Sequence, residues 1–139
     1  MKWIIYTDGA YSPLRDQGGV GIVITENNTE IQRYSKGYKG VTNNKMELLA
    51  IIIALIFVKE PLESLEIRTD SQYVIGCATM GWKRKKNVKL WNKFDEIFKE
   101  KQKLISNPIT FNWVKGHSNN EFNNICDEIA VAASKELLI

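Results

Sequence analysis

The chain opens on a short β-prone run, Trp3-Ile4-Ile5-Tyr6, which leads into the turn signal Thr7-Asp8-Gly9. Gly18-Gly19 precede a second apolar run, Val20 to Thr25, and Asn27-Asn28 separate it from a third, Glu30 to Tyr38. Two such runs around an Asn-rich tight turn predict a hairpin, so residues 1–40 read as three antiparallel strands. The pattern changes after Gly40. Thr42-Asn43-Asn44 supply helix caps, and Lys45 to Lys59 holds neither glycine nor proline until Pro61. This helix is apolar nearly all round, which predicts burial against the sheet. Leu65 to Thr69 reads as a fourth strand and Ser71 to Thr79 as a short helix. An amphipathic helix follows from Val88 to Leu104, with Leu90, Trp91, Phe94, Ile97 and Phe98 on one face. Asn107-Pro108 breaks it, and Ile109 to Val114 is a fifth strand. A last helix, Glu121 to Leu137, is expected to bury Ile125, Ile129, Ala132 and Ala133. The order βββαβααβα describes an α/β fold, a mixed five-stranded sheet flanked by helices.

Composition narrows the class without changing that picture. A chain of 139 residues is long enough to bury a full core, and with no linker or repeat it reads as one domain, 1–139. The longest apolar stretch, Leu48 to Val58, is too short to span a bilayer, so no membrane association is expected. Lys2 and Asp8 do not fit a secretory signal, and Met1 directly before the first strand points to a stand-alone chain working in the cytoplasm. Cys77 and Cys126 stand far apart with no Cys-x-x-Cys pairing, and read as small buried hydrophobes in a reducing compartment. The net charge of +3 says little about partners. Its distribution says more: Lys83, Arg84, Lys85, Lys86 and Lys89 form an all-positive segment between Trp82 and Trp91. That segment is either a solvated loop or an electrostatic footprint for a polyanion.

The candidate chemistry lies in four carboxylates. Asp8 ends the first strand, Glu47 falls in the first turn of the long helix, Asp70 ends the fourth strand, and Asp127 comes early in the last helix. Each sits where side chains can converge, and hard divalent cations such as Mg²⁺ take oxygen ligands of this kind. Each also has a plain alternative. Asp8-Gly9 suits a turn, Asp70 before Ser71-Gln72 suits an N-cap, Glu47 complements a helix dipole, and Asp127 suits an ordinary surface.

The words around these residues are Tyr6-Thr7-Asp8-Gly9-Ala10, Thr42-Asn43-Asn44-Lys45-Met46-Glu47-Leu48, Thr69-Asp70-Ser71-Gln72-Tyr73-Val74, Trp113-Val114-Lys115-Gly116-His117 and Asn124-x-x-Asp127. In that order they resemble type 1 ribonuclease H, over the chain from Lys2 to the last helix. The resemblance implies an RNase H-like fold and an endonuclease that cuts the RNA strand of RNA–DNA hybrids, leaving 5′-phosphate and 3′-hydroxyl ends. It implies two Mg²⁺ ions, with Mn²⁺ as the candidate substitute, held by Asp8, Glu47, Asp70 and Asp127. His117, the only histidine, matches the family's loop histidine that assists proton transfer or product release, although a lone histidine in such a polar loop is usually just exposed. Asn43, Asn44 and Gln72 match minor-groove contacts, and the backbone near Gly9 and Ala10 faces the RNA strand. Thr42 and Asn87 match a pocket for a DNA phosphate, and Trp82 is expected to pack on the DNA backbone. No obligate protein partner is implied, and a monomer is expected.

Two departures stand out. Many members carry a separate basic helix after the Asp70 helix; here only Thr79-Met80-Gly81 separates Cys77-Ala78 from Trp82, so the protrusion is collapsed into Lys83 to Lys89. The first loop reads Tyr11-Ser12-Pro13-Leu14-Arg15-Asp16-Gln17, which leaves any role of Arg15 open. Three rival readings remain: a hybrid-binding module without chemistry, a DNA-directed nuclease or integrase of the same fold, and the nuclease domain of a reverse transcriptase.

Overall fold

A computed structural model of the chain describes residues 1–116, 119–136 and 138. The elements run β1 (Lys2–Ser12), β2 (Gln17–Glu26), β3 (Thr29–Lys39), α1 (Asn43–Ile56), β4 (Ser64–Thr69), α2 (Gln72–Thr79), α3 (Val88–Gln102), β5 (Thr110–Trp113) and α4 (Glu121–Ser134). They form the expected βββαβααβα order around one five-stranded sheet, in spatial order β3-β2-β1-β4-β5. β1, β2 and β3 are antiparallel, while β4 runs parallel to β1 and β5 parallel to β4.

Local chemistry accounts for the hairpin and the helix starts. Asn27 and Asn28 both take positive φ, 49° and 69°, and join the paired residues Glu26 and Thr29. A two-residue turn with both central residues left-handed matches the twist of the strands it joins, and Asn tolerates that backbone. Thr42 caps α1, its side chain accepting from the Lys45 amide at 3.2 Å. Ser71 caps α2 by accepting from Val74 N at 3.1 Å. The N-cap of α2 is therefore Ser71 and not Asp70.

The sheet has two unlike faces. On one, α1 and α3 close over β1, β2 and β4 around a large core that includes Ile5, Ile22, Leu48, Ile51, Leu55, Leu65, Ile67, Trp91 and Phe94. On the other, α4 lies close on β1, β2 and β3 over a smaller apolar cluster, among the described residues, of Tyr6, Val23 and Cys126 with Ile4, Phe122 and Ile125 at its edge. Glycine sets this closeness. A Cβ on Gly19 or Gly21 would collide with backbone atoms of α4, at Ala130 and Ser134 for the first and at Cys126 and Ala130 for the second.

Three sequence-based expectations are corrected here. Thr7-Asp8-Gly9 is not a turn: β1 continues to Ser12, because Gly9 pairs with Val20 and passes directly beneath α1. Glu47 is not in the first turn of α1 but a turn further in, beyond the reach of the helix N-terminus. The buried face of α4 is Asn123, Cys126, Ala130, Ala133 and Ser134, with Ala132 exposed and Ile125 and Ile129 only partly covered. At such close approach only small groups fit between helix and sheet, so the isoleucines move to the flanks.

Candidate active site

Asp8, Glu47 and Asp70 converge at the end of the sheet where β4 stops and β1 runs on. Strand pairing sets the first contact, since Tyr6 stands opposite Arg68 and this register brings Asp8 level with Asp70. Glycine sets the second. A Cβ on Gly9 would lie 2.5 Å from the Glu47 amide nitrogen, so its absence lets α1 approach β1 and lowers Glu47 onto Asp8. One oxygen from each of the three carboxylates can be chosen so that all lie within 4.8 Å of one another. Asp127, half-buried on α4, lines the same cleft but stands outside that trio. The cleft measures about 320 Å³ and is also lined by Gly9, Asn43, Asn44, Ser71, Gln72 and Tyr73.

Backbone and hydroxyl donors hold the trio. Gly9 N donates to Asp8 Oδ1 at 2.9 Å and to Glu47 Oε1 at 3.1 Å. Thr69 Oγ1 donates to Glu47 Oε2 at 3.5 Å and accepts from Ser71 N at 3.1 Å. The Trp113 indole donates to the Asp70 carbonyl at 3.0 Å, and Val114 N donates to Thr69 O at 2.8 Å, which ties the end of β5 to the end of β4. Thr69 and Trp113 are supporting residues that sequence reasoning did not single out. The only signal for them was their place beside Asp70 and before the His117 loop.

Burial and mutual repulsion leave this cluster unwilling to ionise fully. Asp8 is pushed far above the ordinary carboxylate range, first by burial, then by the charges of Glu47 and Asp70. Glu47 is raised as well, by burial and then by Asp70, while its bonds from Gly9 and Thr69 favour the charged form. Both carboxyls are thus biased toward the protonated form when no cation is bound. Three gathered carboxylates, with no nitrogen or sulfur among the donor atoms, suit a hard divalent cation. These residues can hold a metal ion.

A second cavity, of about 360 Å³, lies beside the cleft and is lined by Thr42, Asn43, Asn44, Lys86 and Asn87. Asn43 and Asn44 line both, forming the ridge between them. The remaining expected contacts are scattered more widely. Ala10 follows Gly9 on β1, partly buried and outside the cleft lining. Trp82 is half exposed and lays its ring over Gly76, away from both cavities. His117 lies outside the described residues.

The basic segment departs from its expected role at one position. Arg84 turns inward: its guanidinium stacks on Trp91 at 4.4 Å, pairs with Asp95 at 2.6 Å and donates to Cys77 O at 3.2 Å. Stacking and a carboxylate partner suit guanidinium better than water alone. The exposed cations of the segment are therefore Lys83, Lys85, Lys86 and Lys89.

Comparison with known proteins agrees with the geometry. The family profile described as RNase H matches residues 1–135. The ribonuclease H of Trichodesmium erythraeum is 39% identical over 141 aligned residues, covering 96% of this chain and 88% of that protein. Ribonuclease HI of Synechocystis is 36% identical over 143 residues, covering 93% and 85% respectively. Among solved structures, LC11-RNase H1 in complex with an RNA/DNA hybrid superposes with a TM-score of 0.74 at 26% identity, covering 94% of this chain and 98% of that one. RNase H1 of Halobacterium salinarum shares the fold, with a TM-score of 0.75 at 23% identity over 96% of this chain and 97% of that one. A profile match along almost the whole chain, relatives of this identity, and three carboxylates gathered at the sheet end together show that the chain belongs to the ribonuclease H family of enzymes.

Proposed function

We propose that this protein hydrolyses the RNA strand of RNA–DNA hybrids by two-metal-ion catalysis, leaving 5′-phosphate and 3′-hydroxyl ends. The observation that carries this reading is the convergence of Asp8, Glu47 and Asp70, with Asp127 lining the same cleft, in a chain of this family. A solved relative, LC11-RNase H1, holds an RNA/DNA hybrid, which supports the same substrate class here.

Mg²⁺, or Mn²⁺ in its place, would supply Lewis-acid stabilisation of the phosphate and acidify the attacking water. Asp8, Glu47 and Asp70 would hold the ions, with Asp127 completing the set from α4. Gly9 N and Thr69 Oγ1 keep Glu47 oriented, and the Trp113 bond fixes the backbone beneath Asp70. Rigid placement of this sort is the protein's main contribution to phosphoryl chemistry. His117 is assigned proton transfer or product release, a task that suits imidazole near neutral pH.

Strand discrimination is assigned to the two cavities. The acidic cleft takes the RNA strand, with Gln72, Asn43, Asn44 and the backbone at Gly9 and Ala10 reading minor-groove edges and 2′-hydroxyls. The second cavity takes a DNA phosphate through Thr42, Lys86 and Asn87. Lys83, Lys85 and Lys89, with Trp82, extend the contact along the DNA backbone. Because the cleft is itself acidic, this positive rim is what admits a polyanion. Both cysteines are free and buried, in keeping with the reducing cytoplasm, and the protein acts as a monomer in this reading. Among the described residues no helix is long and apolar enough to cross a membrane.

The test is a panel of labelled substrates (hybrid, RNA duplex, DNA duplex and single-stranded RNA) with Mg²⁺, Mn²⁺ or EDTA, for the wild type and Asp70→Asn. Only the hybrid should be cut efficiently, and only with metal. Hybrid cleavage that persists in EDTA or in the variant would sink the two-metal mechanism. Hybrid binding with no cleavage under either metal would favour a non-catalytic module instead.

A further inference from the structure

Tyr73 links the two cavities: it lines the first and hydrogen-bonds to Lys86 and Asn87, which line the second. It is the second residue of α2, and it lines the acidic cleft beside Asp70 and Gln72. Its ring meets Trp91 edge-on, with centroids 6.0 Å apart, and Trp91 is fully buried in the core. Its hydroxyl reaches the other way. It accepts from Trp91 Nε1 at 2.9 Å and from Asn87 Nδ2 at 3.2 Å, and donates to the Lys86 carbonyl at 3.4 Å.

A phenol has one proton and two lone pairs, so these three bonds exhaust it. With the hydroxyl proton directed to the Lys86 carbonyl and one lone pair taken by the Trp91 indole, the remaining lone pair receives the Asn87 amide nitrogen. One amide proton is spent on Tyr73, and the other stays on the same nitrogen as a donor. A phosphate oxygen needs such a donor, and the carbonyl oxygen of a flipped amide would repel it.

The backbone at Asn87 does not supply this control. Asn87 sits in the left-handed region at φ 57° and ψ 36°, and its carbonyl accepts the Trp91 amide at 2.9 Å as α3 begins. That geometry accounts for asparagine or glycine at the position but leaves the side chain free of capping duty, since it makes no cap hydrogen bond. Its amide orientation thus depends on Tyr73.

We infer that Tyr73 is a positioning residue for DNA-strand recognition: through its hydroxyl it holds Asn87 as a phosphate donor, at a fixed offset from the metal-binding cleft that Tyr73 also lines. This rests on the phosphate-pocket reading above. Since the hydroxyl acts on binding geometry and touches no reacting atom, its loss should fall on KM more than on kcat.

The test is a double-mutant cycle in steady-state hybrid cleavage, using Tyr73→Phe, Asn87→Ala and the pair, with thermal melting of each. Phenylalanine keeps the ring against Trp91, so the fold should survive. Each single variant should raise KM by about threefold to tenfold, the span of one ordinary neutral hydrogen bond. The double variant should be no worse than Asn87→Ala alone. A raised KM in Asn87→Ala with an unaltered KM in Tyr73→Phe would overturn the inference and leave the pocket standing. An unaltered KM in Asn87→Ala would overturn both. Tyr73→Phe effects of equal size in both backgrounds, or confined to melting temperature, would show a merely structural hydroxyl and overturn the inference as well.

Discussion

The two faces of the sheet bring carboxylates to one cleft by different means. On the α1 face a thick aliphatic core fixes the helix, and at one point, Gly9, the helix backbone comes down onto β1. Glu47 is consequently buried and hydrogen-bonded beside Asp8. On the α4 face there is little apolar core, and Gly19 and Gly21 let the helix lie on the strands through small residues. Asp127 arrives half-exposed and outside the tight trio. The lesson is that glycine does on both faces what side-chain size cannot, but only on the α1 face does it position a buried charge. One face supplies a buried, hydrogen-bonded carboxylate; the other supplies a half-exposed one.

Substitutions can break this contrast in graded steps. Asp70→Asn, at the meeting point of the trio, should lower hybrid cleavage by about 10³-fold or more, with the fold intact by circular dichroism. Gly9→Ala should come next: its methyl meets the α1 backbone, so Glu47 is displaced. A cleavage loss of about 10²-fold should accompany destabilisation of about 1–3 kcal/mol in urea titration. Asp127→Asn should cost less than Asp70→Asn, about 10- to 100-fold, as for a group at the margin of a metal site. If the two proved equal, the division between buried and half-exposed ligands would be wrong. Gly21→Ala should destabilise by a similar 1–3 kcal/mol while changing kcat by less than about threefold, because no trio member rides on that contact.

The last expected effect concerns pH and metal in the absence of substrate. Asp8 and Glu47 have raised pKa values in the fold, so the native state binds more protons than the unfolded chain above the ordinary carboxylate range. Stability of the metal-free protein should therefore be highest at or below that range and decline as pH rises toward and past neutrality. Mg²⁺ binds only the folded cluster and should recover about 1–3 kcal/mol at pH 8 and almost nothing at pH 4.5. Denaturant midpoints with Mg²⁺ and with EDTA at the two pH values would show it. A Mg²⁺ effect that did not depend on pH would remove the proton–metal exchange from the account.

Much of this was legible in the chain. Asn27-Asn28 and Thr42 carry local rules that tertiary structure did not override, and the element order follows from them. The carboxylates were legible as candidates, since Asp8, Glu47 and Asp70 do converge. What sequence could not supply were consequences of close approach. Gly9 reads locally as a turn, and only α1 passing over it reveals an uninterrupted strand. The α4 face was misplaced because its isoleucines outweigh its alanines in any periodicity, whereas the distance to Gly19 and Gly21 decides which can fit. Arg84 reads as one more cation in a basic run. Its inward turn depends on Trp91 and Asp95, brought near it by α3.

The ridge of Asn43 and Asn44 between the two cavities has a consequence for selectivity. As proposed, the two cavities, joined through the first turn of α1, act as the two teeth of a bidentate chelator: once one strand is seated, the other is presented at a high effective concentration, but only if the duplex spacing matches. On the proposed reading, a lone RNA strand forfeits the whole linkage advantage and not merely the contacts of the missing strand. Discrimination against single strands would then exceed what either cavity's own affinity predicts.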